Sequence, residues 1–436
     1  MKNRDIYISI IGFGTVGAGT AKILLKRNKE LQAKLGVSLK LKNIADLDTK
    51  TDRGIKLPKG ILIKDAQKIL NDPDVDIVVE LIGGINPAKD FILEAIKKGK
   101  HVVTANKALL AEHGQEIFRA AKKYGVEVGF EASVAGSIPI IKVVRESLIG
   151  NKIGNIFGII NGTANFILTK MTEEGVDFNS TLKEAQELGY AEADPTFDIE
   201  GIDSAHKLAI LASLAYGLPI SLKKVYTQGI TEITPIDIQF ASEFGFKIKL
   251  LAIAKPSGKE VELRVHPTMV QESMPIANVN GVFNAIYVEG DATGAGLYYG
   301  KGAGDMPTGS AVVSDIADIA RNIKAGAAGR MQSFDISGSS GLKVKKMDEV
   351  STCYYLRMSA MDRPGVLSKI SGILGKNNIS IESMIQKGRK KEKAVSMVLM
   401  THEAKEKDMM KALKEIMKLK VVSGKPLYLR VEGGNA

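Results

Sequence analysis

Residues 189–207, GYAEADPTFDIEGIDSAHK, place several carboxylates ahead of a lysine. Pro195 and Gly201 interrupt any regular period, so the first half of this stretch is expected to be a loop. The second half leads into the apolar run LAILASLA, which predicts a helix with Asp203 and Lys207 one turn apart on one face. This arrangement suits a small zwitterionic substrate, although an acidic surface loop with an ordinary, weak ion pair would have the same sequence.

A glycine-rich turn follows the first strand-like run of the chain. After IYISII (6–11), the glycines Gly12, Gly14 and Gly17 have the GxGxxG spacing of a dinucleotide-binding turn. The first permits a tight turn, the second lets backbone approach a pyrophosphate, and the third lets the helix lie close to the strand. Amides at the helix N-terminus would bind the phosphates. The position between a strand and a helix favours NAD(P) binding over glycines kept for packing alone.

The end of the next strand leaves the choice of dinucleotide open. LKLKNIAD ends in Asp46, and an acid at this position commonly binds the ribose 2′-hydroxyl of NAD. Lys50 and Arg53 follow within a few residues, and a base can accept the 2′-phosphate of NADP. The sequence therefore predicts NADP or NAD, with a slight lean towards use of both.

Strands and helices alternate through the first part of the chain. VDIVVELIGG (75–84) and KHVVTANKALLA (100–111) are apolar strands separated by a helical pattern, which predicts a parallel, doubly wound sheet. Lys107 falls at the carboxyl end of one such strand, where ligands of these sheets bind. A solvated face explains this lysine poorly, so we assign it to the crevice of a nicotinamide ring.

The loop in EVGFEASVAGSIPII (127–141) could bind a cation. It combines Glu131 with backbone carbonyls of small residues, and a hard monovalent or divalent cation prefers such oxygen ligands. The five histidines show no metal-ligand spacing, which argues against zinc.

A second region begins near residue 151 and has a different pattern. The turn NGTAN precedes a helix that Thr163 or Asn165 could cap. Runs such as KIKLLAIAKP and EVELRVHPTMV predict an antiparallel or mixed sheet. A glycine-rich loop then leads into an amphipathic helix near 310–330, which is expected to return to the first domain.

A linker and a third domain complete the chain. SGSSGLKVKKM (337–347) has linker composition, and the segments after it alternate as β–α–β, β–α–β, the pattern of a ferredoxin-like unit. The predicted domains are therefore residues 1–140, 141–335 and 348–436.

Composition excludes several classes of protein. The net charge is +11, but residues 342–436 hold 20 lysines and arginines against 10 acids, and the rest is close to neutral. The basic runs, such as GRKKEK (388–393), lack interleaved aromatic residues, so nucleic-acid binding is not expected. No apolar run is long enough to span a bilayer, and a single cysteine, Cys353, indicates a reducing compartment such as the cytoplasm.

Together these motifs resemble homoserine dehydrogenase in its long form, which has a C-terminal ACT domain. The resemblance covers nearly all 436 residues. The motifs that carry it are IGFGTVG, TANKALLA, NGTANFI, GYAEADPTFDIEGIDSAHK, GKGAGDMPT, DRPGVL and NNISIESMIQ. It implies an α/β protein: a Rossmann-type doubly wound parallel sheet, then an α+β substrate and dimerisation domain, then a ferredoxin-like ACT domain.

The resemblance also implies a function. The family reduces L-aspartate 4-semialdehyde reversibly to L-homoserine with NAD(P)H, a step towards threonine and methionine. A cytoplasmic homodimer or homotetramer is expected, with threonine as a possible effector at the ACT domain and with no nucleic-acid or membrane partner. Two other functions fit less well: a non-catalytic NAD(P) and amino-acid sensor, and a dehydrogenase of another amino-acid semialdehyde.

The matched motifs imply roles for individual residues. The cofactor would be bound by Gly12, Phe13, Gly14, Thr15, Val16, Gly17, Lys107, Gly189 and Gly304. The substrate would be bound by Gly162, Thr163, Glu192, Asp198 and Asp203. Lys107 and Lys207 would lie at the reacting oxygen, with Lys207 as proton donor. Sodium would be bound by Glu131 and by the carbonyls of Val134, Gly136 and Ile138. Asp194 and Glu200 receive no role.

Overall fold

The computed structural model describes residues 5–329, 341–386 and 394–433. The strands in these residues are β1 (Ile6–Ile11), β2 (Leu39–Ala45), β3 (Leu62–Ile63), β4 (Ile77–Glu80), β5 (His101–Thr104), β6 (Val128–Gly129), β7 (Ile153–Ile159), β8 (Tyr226–Thr227), β9 (Phe246–Ser257), β10 (Glu260–Gln271), β11 (Phe283–Gly290), β12 (Gly294–Lys301), β13 (Lys343–Val344), β14 (Ser351–Met361), β15 (Ile381–Gln386), β16 (Ala394–Thr401), β17 (Ala404–Lys405) and β18 (Val422–Glu432).

The helices are α1 (Thr15–Lys26), α2 (Asn28–Leu35), α3 (Ala66–Asn71), α4 (Ala88–Lys97), α5 (Lys107–Tyr124), α6 (Ile140–Lys142), α7 (Gly162–Glu174), α8 (Phe178–Glu187), α9 (Thr196–Ile199), α10 (Ile202–Tyr216), α11 (Pro235–Glu243), α12 (Asp305–Ala325), α13 (Val366–Lys376) and α14 (Glu406–Ile416). None of these helices is long and apolar enough to cross a bilayer.

The described residues form two compact units. The first contains residues up to Gly154, His206–Val225 and Phe283–Leu342, and the second contains Asn155–Ala205, Tyr226–Val282 and the residues from Lys343 onwards. The basic run at 388–393 and residues 337–340 of the predicted linker lie outside the described part of the chain.

A parallel sheet forms the centre of the first unit. Its strands have the order β3-β2-β1-β4-β5-β6 within residues 5–329, and each neighbouring pair is parallel. This is the strand order of the doubly wound dinucleotide-binding fold, so the predicted fold class is confirmed. β1 and β4 are buried almost throughout, which explains why their sequences are continuous apolar runs.

Helix α12 lies against helix α1 at a very short distance within this unit. A Cβ atom at Gly309 would come 2.8 Å from the carbonyl carbon of Gly19, and a Cβ at Gly19 would collide with the backbone of Asp305. Lys22 also reaches Asp305, with 3.4 Å between Nζ and Oδ2. Two glycines therefore let the two helix backbones touch. The domain boundaries proposed from the sequence remain a prediction.

A second sheet organises the other unit. Its strands follow the order β7-β9-β10-β18-β14-β16-β15, with β8 and β13 paired to β10 and β17 paired to β14. Strands β14 to β18 with α13 and α14 form the ferredoxin-like module predicted for the ACT domain, around a core that includes Leu356, Ile370, Leu399 and Ile416. Strand β18 pairs in parallel with β10, so this module and the substrate region share one sheet.

The cap of helix α7 corrects one expectation. Asn161, rather than Thr163 or Asn165, caps this helix, since its Oδ1 accepts the amide of Ala164 at 2.8 Å. Strand β7 ends at Ile159, and Asn161 has the extended backbone, φ −126° and ψ 115°, that an N-cap residue needs.

Candidate active site

The glycine turn at the end of β1 has the geometry that a pyrophosphate requires. Gly12 has φ +104°, and a Cβ there would lie 2.5 Å from the carbonyl carbon of Leu81. A Cβ at Gly17 would collide with the carbonyl oxygen of Gly12, whereas no atom lies within 4 Å of the Cβ position at Gly14. The first and third glycines are thus required by packing. The second leaves open space at the start of α1, where a phosphate group fits.

A cavity of about 600 Å³ adjoins this turn in the first unit. Its walls are the carboxyl ends of β1, β2 and β4 together with α3 and the start of α4; the lining residues include Ile11, Gly12, Gly14, Ala45, Asp46, Lys64, Gln67, Leu81, Ile82 and Phe91. Nucleotides bind at this edge of a doubly wound sheet. The residues present therefore fit a dinucleotide.

The rim of this cavity carries both signs of charge. Asp46 accepts the amide of Phe13 at 2.5 Å and the amide of Asp48 at 2.8 Å, so both of its carboxylate oxygens bind backbone. Arg53 lies over the ring of Phe13, 5.2 Å from its centroid, and pairs with Asp48 at 3.2 Å. Lys64 lines the same cavity. Asp46 and Lys64 thus line the cavity where the adenosine ribose would bind, and Arg53 lies over Phe13 in the glycine turn beside it.

Lys107 is the first residue of α5, directly after the end of β5. Asn106 precedes it as the N-cap and accepts the amide of Leu109 at 3.1 Å. The side-chain nitrogen of Asn106 donates to the carbonyl of Gly84 at 2.6 Å. The helix start that carries Lys107 is therefore fixed to the loop after β4.

Glu80 is a buried carboxylate that sequence reasoning missed. It lies at the end of β4 and is 0% exposed. Its oxygens accept the amides of Ile82 at 2.9 Å and Gly83 at 3.2 Å and the hydroxyl of Thr104 at 2.7 Å. Thr104 in turn accepts the amide of Asn106 at 3.0 Å. Burial raises the pKa of Glu80. This acid thus orders the two strand ends beside the cavity.

The predicted cation loop folds back on itself in the first unit. Ala135 has φ 54° and Gly136 has φ 56°, and a Cβ at Gly136 would collide with the backbone of Gly302. Together with the carboxylate of Glu131, the carbonyls of Val134, Gly136 and Ile138 would make an all-oxygen ligand set, which suits a hard cation.

Glu131 is buried, and each of its carboxylate oxygens accepts one amide at the start of α6. Oε1 accepts the amide of Ile141 at 2.8 Å, and Oε2 accepts that of Lys142 at 3.0 Å. Its own amide donates to Asp315 at 2.8 Å. Burial, followed by the charge of Asp315, raises the pKa of Glu131 to about 7. A bound cation would offset both effects.

Two carboxylates of the 189–207 segment bind one asparagine in the second unit. Nδ2 of Asn161 donates to Asp198 Oδ1 at 2.7 Å and to Asp203 Oδ2 at 2.9 Å. Asp203 is 3% exposed, and Asp198 belongs to the short helix α9. Because Asn161 also caps α7, one side chain joins the starts of three helices. The motif NGTAN contained it, but its contacts are 37 and 42 residues away in sequence.

The other predicted substrate residues lie along the same segment. Thr163 donates its hydroxyl to the carbonyl of Tyr190 at 2.6 Å, which ties α7 to the residue after Gly189. A Cβ at Gly162 would lie 2.9 Å from the carbonyl oxygen of Val282. Glu192 is exposed, and its carbonyl accepts the side chain of Gln186 at 3.1 Å.

Helix α10 carries both Asp203 and Lys207. They are four residues apart within Ile202–Tyr216, as predicted, and both side chains are buried.

Gly304, the predicted cofactor contact, is the N-cap of helix α12 and has φ +123°. The first unit contains the cofactor turn, Lys107, Lys207, Gly304 and the cation loop, and the second contains Gly162, Thr163, Gly189, Glu192, Asp198 and Asp203.

Comparison with known proteins covers nearly the whole chain. A family model described as "Homoserine dehydrogenase" matches residues 139–317, and one described as "Homoserine dehydrogenase, NAD binding domain" matches residues 12–131. An ACT domain model matches residues 354–420. The homoserine dehydrogenase of Neisseria gonorrhoeae is 46% identical over 431 residues, which are 98% of this chain and 99% of the relative. The chain belongs to the homoserine dehydrogenase family.

Further relatives agree with this assignment. The homoserine dehydrogenase of Bacillus subtilis is 39% identical over 433 residues, 99% of each chain. The crystal structure of a homoserine dehydrogenase from Thiobacillus denitrificans matches with a TM-score of 0.93 at 46% identity, and the match covers 98% of both chains. A hyperthermophilic archaeal homoserine dehydrogenase in complex with NADPH matches with a TM-score of 0.61 at 28% identity, over 74% of this chain and 98% of that one.

The family assignment gives the activity. The protein is an NAD(P)-dependent oxidoreductase that interconverts L-aspartate 4-semialdehyde and L-homoserine, and it carries an ACT domain. The predictions of family, fold and enzyme class are confirmed. The roles of the individual site residues remain predictions.

Proposed function

We propose that Lys207 is the proton donor of this dehydrogenase and that Glu192, Asp198 and Asp203 bind the amino-acid end of the substrate. The observation that carries the proposal is the hydrogen bonding of Asn161 to both Asp198 and Asp203, one turn before Lys207 on α10. Carboxylates oriented in this way supply counter-charge for the α-ammonium of aspartate semialdehyde. The sensor considered above has no need of this set.

The chemistry follows from charge development. NAD(P)H supplies the hydride when it is bound. As the aldehyde carbon is reduced, negative charge builds on its oxygen, where an ammonium group is stabilising. Lys207 donates its proton to that oxygen, which gives the hydroxyl of L-homoserine, and accepts it back in the reverse direction. Lys107 supports the same oxygen and contacts the cofactor.

Removal of the Lys207 ammonium tests this assignment. We expect Lys207→Ala to lower turnover by about 10²–10⁴-fold, the usual contribution of a general acid, while NADPH binding measured by fluorescence titration is retained. Lys170→Ala is the matched control, because Lys170 forms only surface ion pairs with Glu174 and Glu184. Turnover of Lys207→Ala within a fewfold of wild type would refute the assignment.

Both NADPH and NADH are proposed as cofactors. Arg53 and Lys64 support binding of a 2′-phosphate, and Asp46 supports binding of a 2′-hydroxyl. The structure of the archaeal relative in complex with NADPH also supports NADPH as a cofactor. The ratio of kcat/KM for the two cofactors measures this directly. A preference above a thousandfold for either one contradicts dual use.

We further propose that Glu131 and the carbonyls of Val134, Gly136 and Ile138 bind sodium. The support is the all-oxygen ligand set and the buried carboxylate. Replacing choline chloride by sodium chloride at equal ionic strength should raise the melting temperature of wild type but not of Glu131→Gln. That variant keeps an acceptor for one of the two amides of α6 while it removes the charge. Equal melting temperatures of wild type in the two salts exclude the site.

A small amino acid is the proposed effector of the ACT domain, with threonine first because it is an end product. The turn at Gly365, with φ +84°, and the turn at Asn378, with φ 59°, support a binding site for amino-acid backbone groups. Initial rates of the full-length enzyme with and without threonine test the proposal. Rates unchanged at millimolar threonine oppose it.

The enzyme is proposed to act in the cytoplasm as a homodimer or homotetramer. A single cysteine, Cys353, supports a reducing compartment. Sedimentation equilibrium distinguishes the two assemblies from a monomer, which would contradict the proposal.

A further inference from the structure

Arg430, on strand β18 of the ACT module, is a fully buried cation whose ligands come from two regions of the chain. Glu406, at the start of α14, accepts its Nη2 at 2.5 Å and its Nε at 2.9 Å. The remaining donors leave the module: Nη1 donates to Gln228 Oε1 at 2.9 Å, and Nη2 donates to the hydroxyl of Tyr226 at 3.1 Å. One guanidinium thus binds Glu406 of the ACT module and also Tyr226 and Gln228, which lie in β8 and directly after it.

Gln228 begins a short segment that contacts the 189–207 segment at Ile199. Its amide donates to Val265 on β10 at 2.8 Å, which fixes its backbone. Two residues later, the amide of Ile230 donates to the carbonyl of Ile199 at 2.9 Å. A Cβ at Gly229 would come 2.8 Å from that same carbonyl oxygen. Residues 228–230 therefore pack against the last turn of α9 with no room for a side chain at 229.

Helix α9 is a single turn, and its last residue directly follows Asp198. Ile199 is the next residue, and Asp198 is bound through Asn161 to Asp203. A continuous series of hydrogen bonds and of steps of one or two residues thus runs from Glu406 and Arg430 through Gln228, Ile230 and Ile199 to the proposed substrate carboxylates. Every residue in it belongs to the second unit.

We infer that Gln228 is a positioning residue through which the buried Arg430–Glu406 pair of the ACT module fixes Asp198 in its substrate-binding position. The inference rests on the proposed role of Asp198 and Asp203 in binding the substrate. The side-chain oxygen of Gln228 accepts a bond from a guanidinium that cannot move without leaving Glu406, so the segment 228–230 and the end of α9 are held at one distance from β18. A ligand that shifts β18 or α14 would thereby change substrate affinity.

Two substitutions of Gln228 distinguish the effect of its hydrogen bond to Arg430 from the effect of its side-chain volume. Gln228→Leu removes the acceptor for Arg430, and Gln228→Glu keeps an oxygen there. We expect Gln228→Leu to raise KM for homoserine about tenfold, with kcat and KM for NADP⁺ changed less than threefold, because a coupling carried through packed side chains and hydrogen bonds is of this size. Gln228→Glu is expected to restore KM to within threefold of wild type.

A matched control and a second variant complete the experiment. Lys425→Ala breaks the exposed 2.6 Å pair between Lys425 and Glu232, which joins the same two regions without reaching α9, and should leave both KM values unchanged. Gly229→Ala displaces the end of α9 without touching Arg430 and should raise KM for homoserine as Gln228→Leu does. It carries the test if Gln228→Leu fails to fold.

The outcomes are distinct. A KM for homoserine within twofold of wild type in Gln228→Leu, or in Gly229→Ala where Gln228→Leu does not fold, overturns the inference. An equal rise in Lys425→Ala overturns it as well, since any contact between these regions would then have the same effect. If homoserine is oxidised by wild type but Lys207→Ala and Gln228→Leu are both unaffected, the proposed site fails together with the inference. Loss of activity in Lys207→Ala alone leaves the proposed function standing and removes only the role of Gln228.

Discussion

Burial is the largest influence on the pKa of Lys249, which lies on β9. It is 3% exposed, and its ammonium donates to the carbonyl of Val279 at 2.6 Å, to Asn280 Oδ1 at 3.1 Å and to Asn165 Oδ1 at 3.4 Å. Neutral oxygens offset desolvation less than a carboxylate does. Burial therefore lowers the pKa of Lys249 to about 7.

The stability of the enzyme should depend on pH through this lysine. In the unfolded chain the pKa of a lysine is about 10.4, so between pH 7 and pH 10 the unfolded state binds more protons than the folded state. The free energy of unfolding therefore rises with pH across this window, and below pH 7 the full penalty is present. Relative to Lys249→Met, wild type should gain up to about 4 kcal/mol between pH 7 and pH 10.

Urea unfolding of both proteins at several pH values measures this gain. Because Lys249→Met has no titrating group at the position, the difference between the two proteins cancels the contribution of every other residue. A difference that does not change with pH shows that Lys249 stays charged when buried.

At the scale of secondary-structure elements, Gly14 at the start of α1 and Gly19 within it have different roles. Gly19 lets α1 touch the backbone of α12, and a Cβ there would collide with Asp305. Gly14 caps the same helix with φ −72° and has open space around it. Only the first of these two is required by the fold.

Alanine at each position should separate folding from binding. Gly19→Ala should destabilise the protein by about 1–3 kcal/mol, because overpacking forces the two helices apart. Gly14→Ala should leave the free energy of unfolding within about 0.5 kcal/mol, as for a surface change, but weaken NADPH binding, because its methyl group occupies the space of the pyrophosphate. Thermal unfolding and fluorescence titration of both variants check these expectations. Equal losses of stability in the two variants would show that the contact between α1 and α12 does not require a glycine at position 19.

At the scale of the whole molecule, buried ion pairs join the ACT module to strand β10 and to helix α11. Arg264 on β10 is 1% exposed and pairs with Glu432 of β18 at 2.6 Å. Arg357 of β14 pairs with Asp237 of α11, which is 0% exposed. The module is thus held by desolvated charges as well as by the parallel β10–β18 pairing.

Breaking one buried pair should be costly. Glu432→Ala removes one of the two carboxylates that pair with the buried Arg264 among the described residues. Removal of one partner of a buried pair typically costs about 3–5 kcal/mol. Lys425→Ala, which breaks the exposed pair with Glu232, should cost less than about 1 kcal/mol. Equilibrium urea unfolding monitored by circular dichroism measures both. A loss below 1 kcal/mol in Glu432→Ala would mean that water or movement satisfies Arg264.

The sequence by itself determined the features that depend on local spacing. The glycine turn at 12–17, the alternation of apolar strands and helices, the position of Lys107 after a strand, and the Asp203–Lys207 spacing are set within a few residues. Backbone sterics and hydrophobic periodicity act at that range, so the fold class could be predicted from them. The family and most candidate residues followed instead from the resemblance of the motifs.

Tertiary structure decided which side chains hold the candidate site together. Glu80, Asn161 and Gln228 bind partners that are distant in sequence, and no periodicity reports such contacts. The prediction from the sequence that Thr163 or Asn165 caps α7 is wrong. The position of the cap depends on where β7 ends and on the extended backbone of Asn161. These residues act through hydrogen bonds whose partners meet only when the elements pack, and packing is a property of the whole chain.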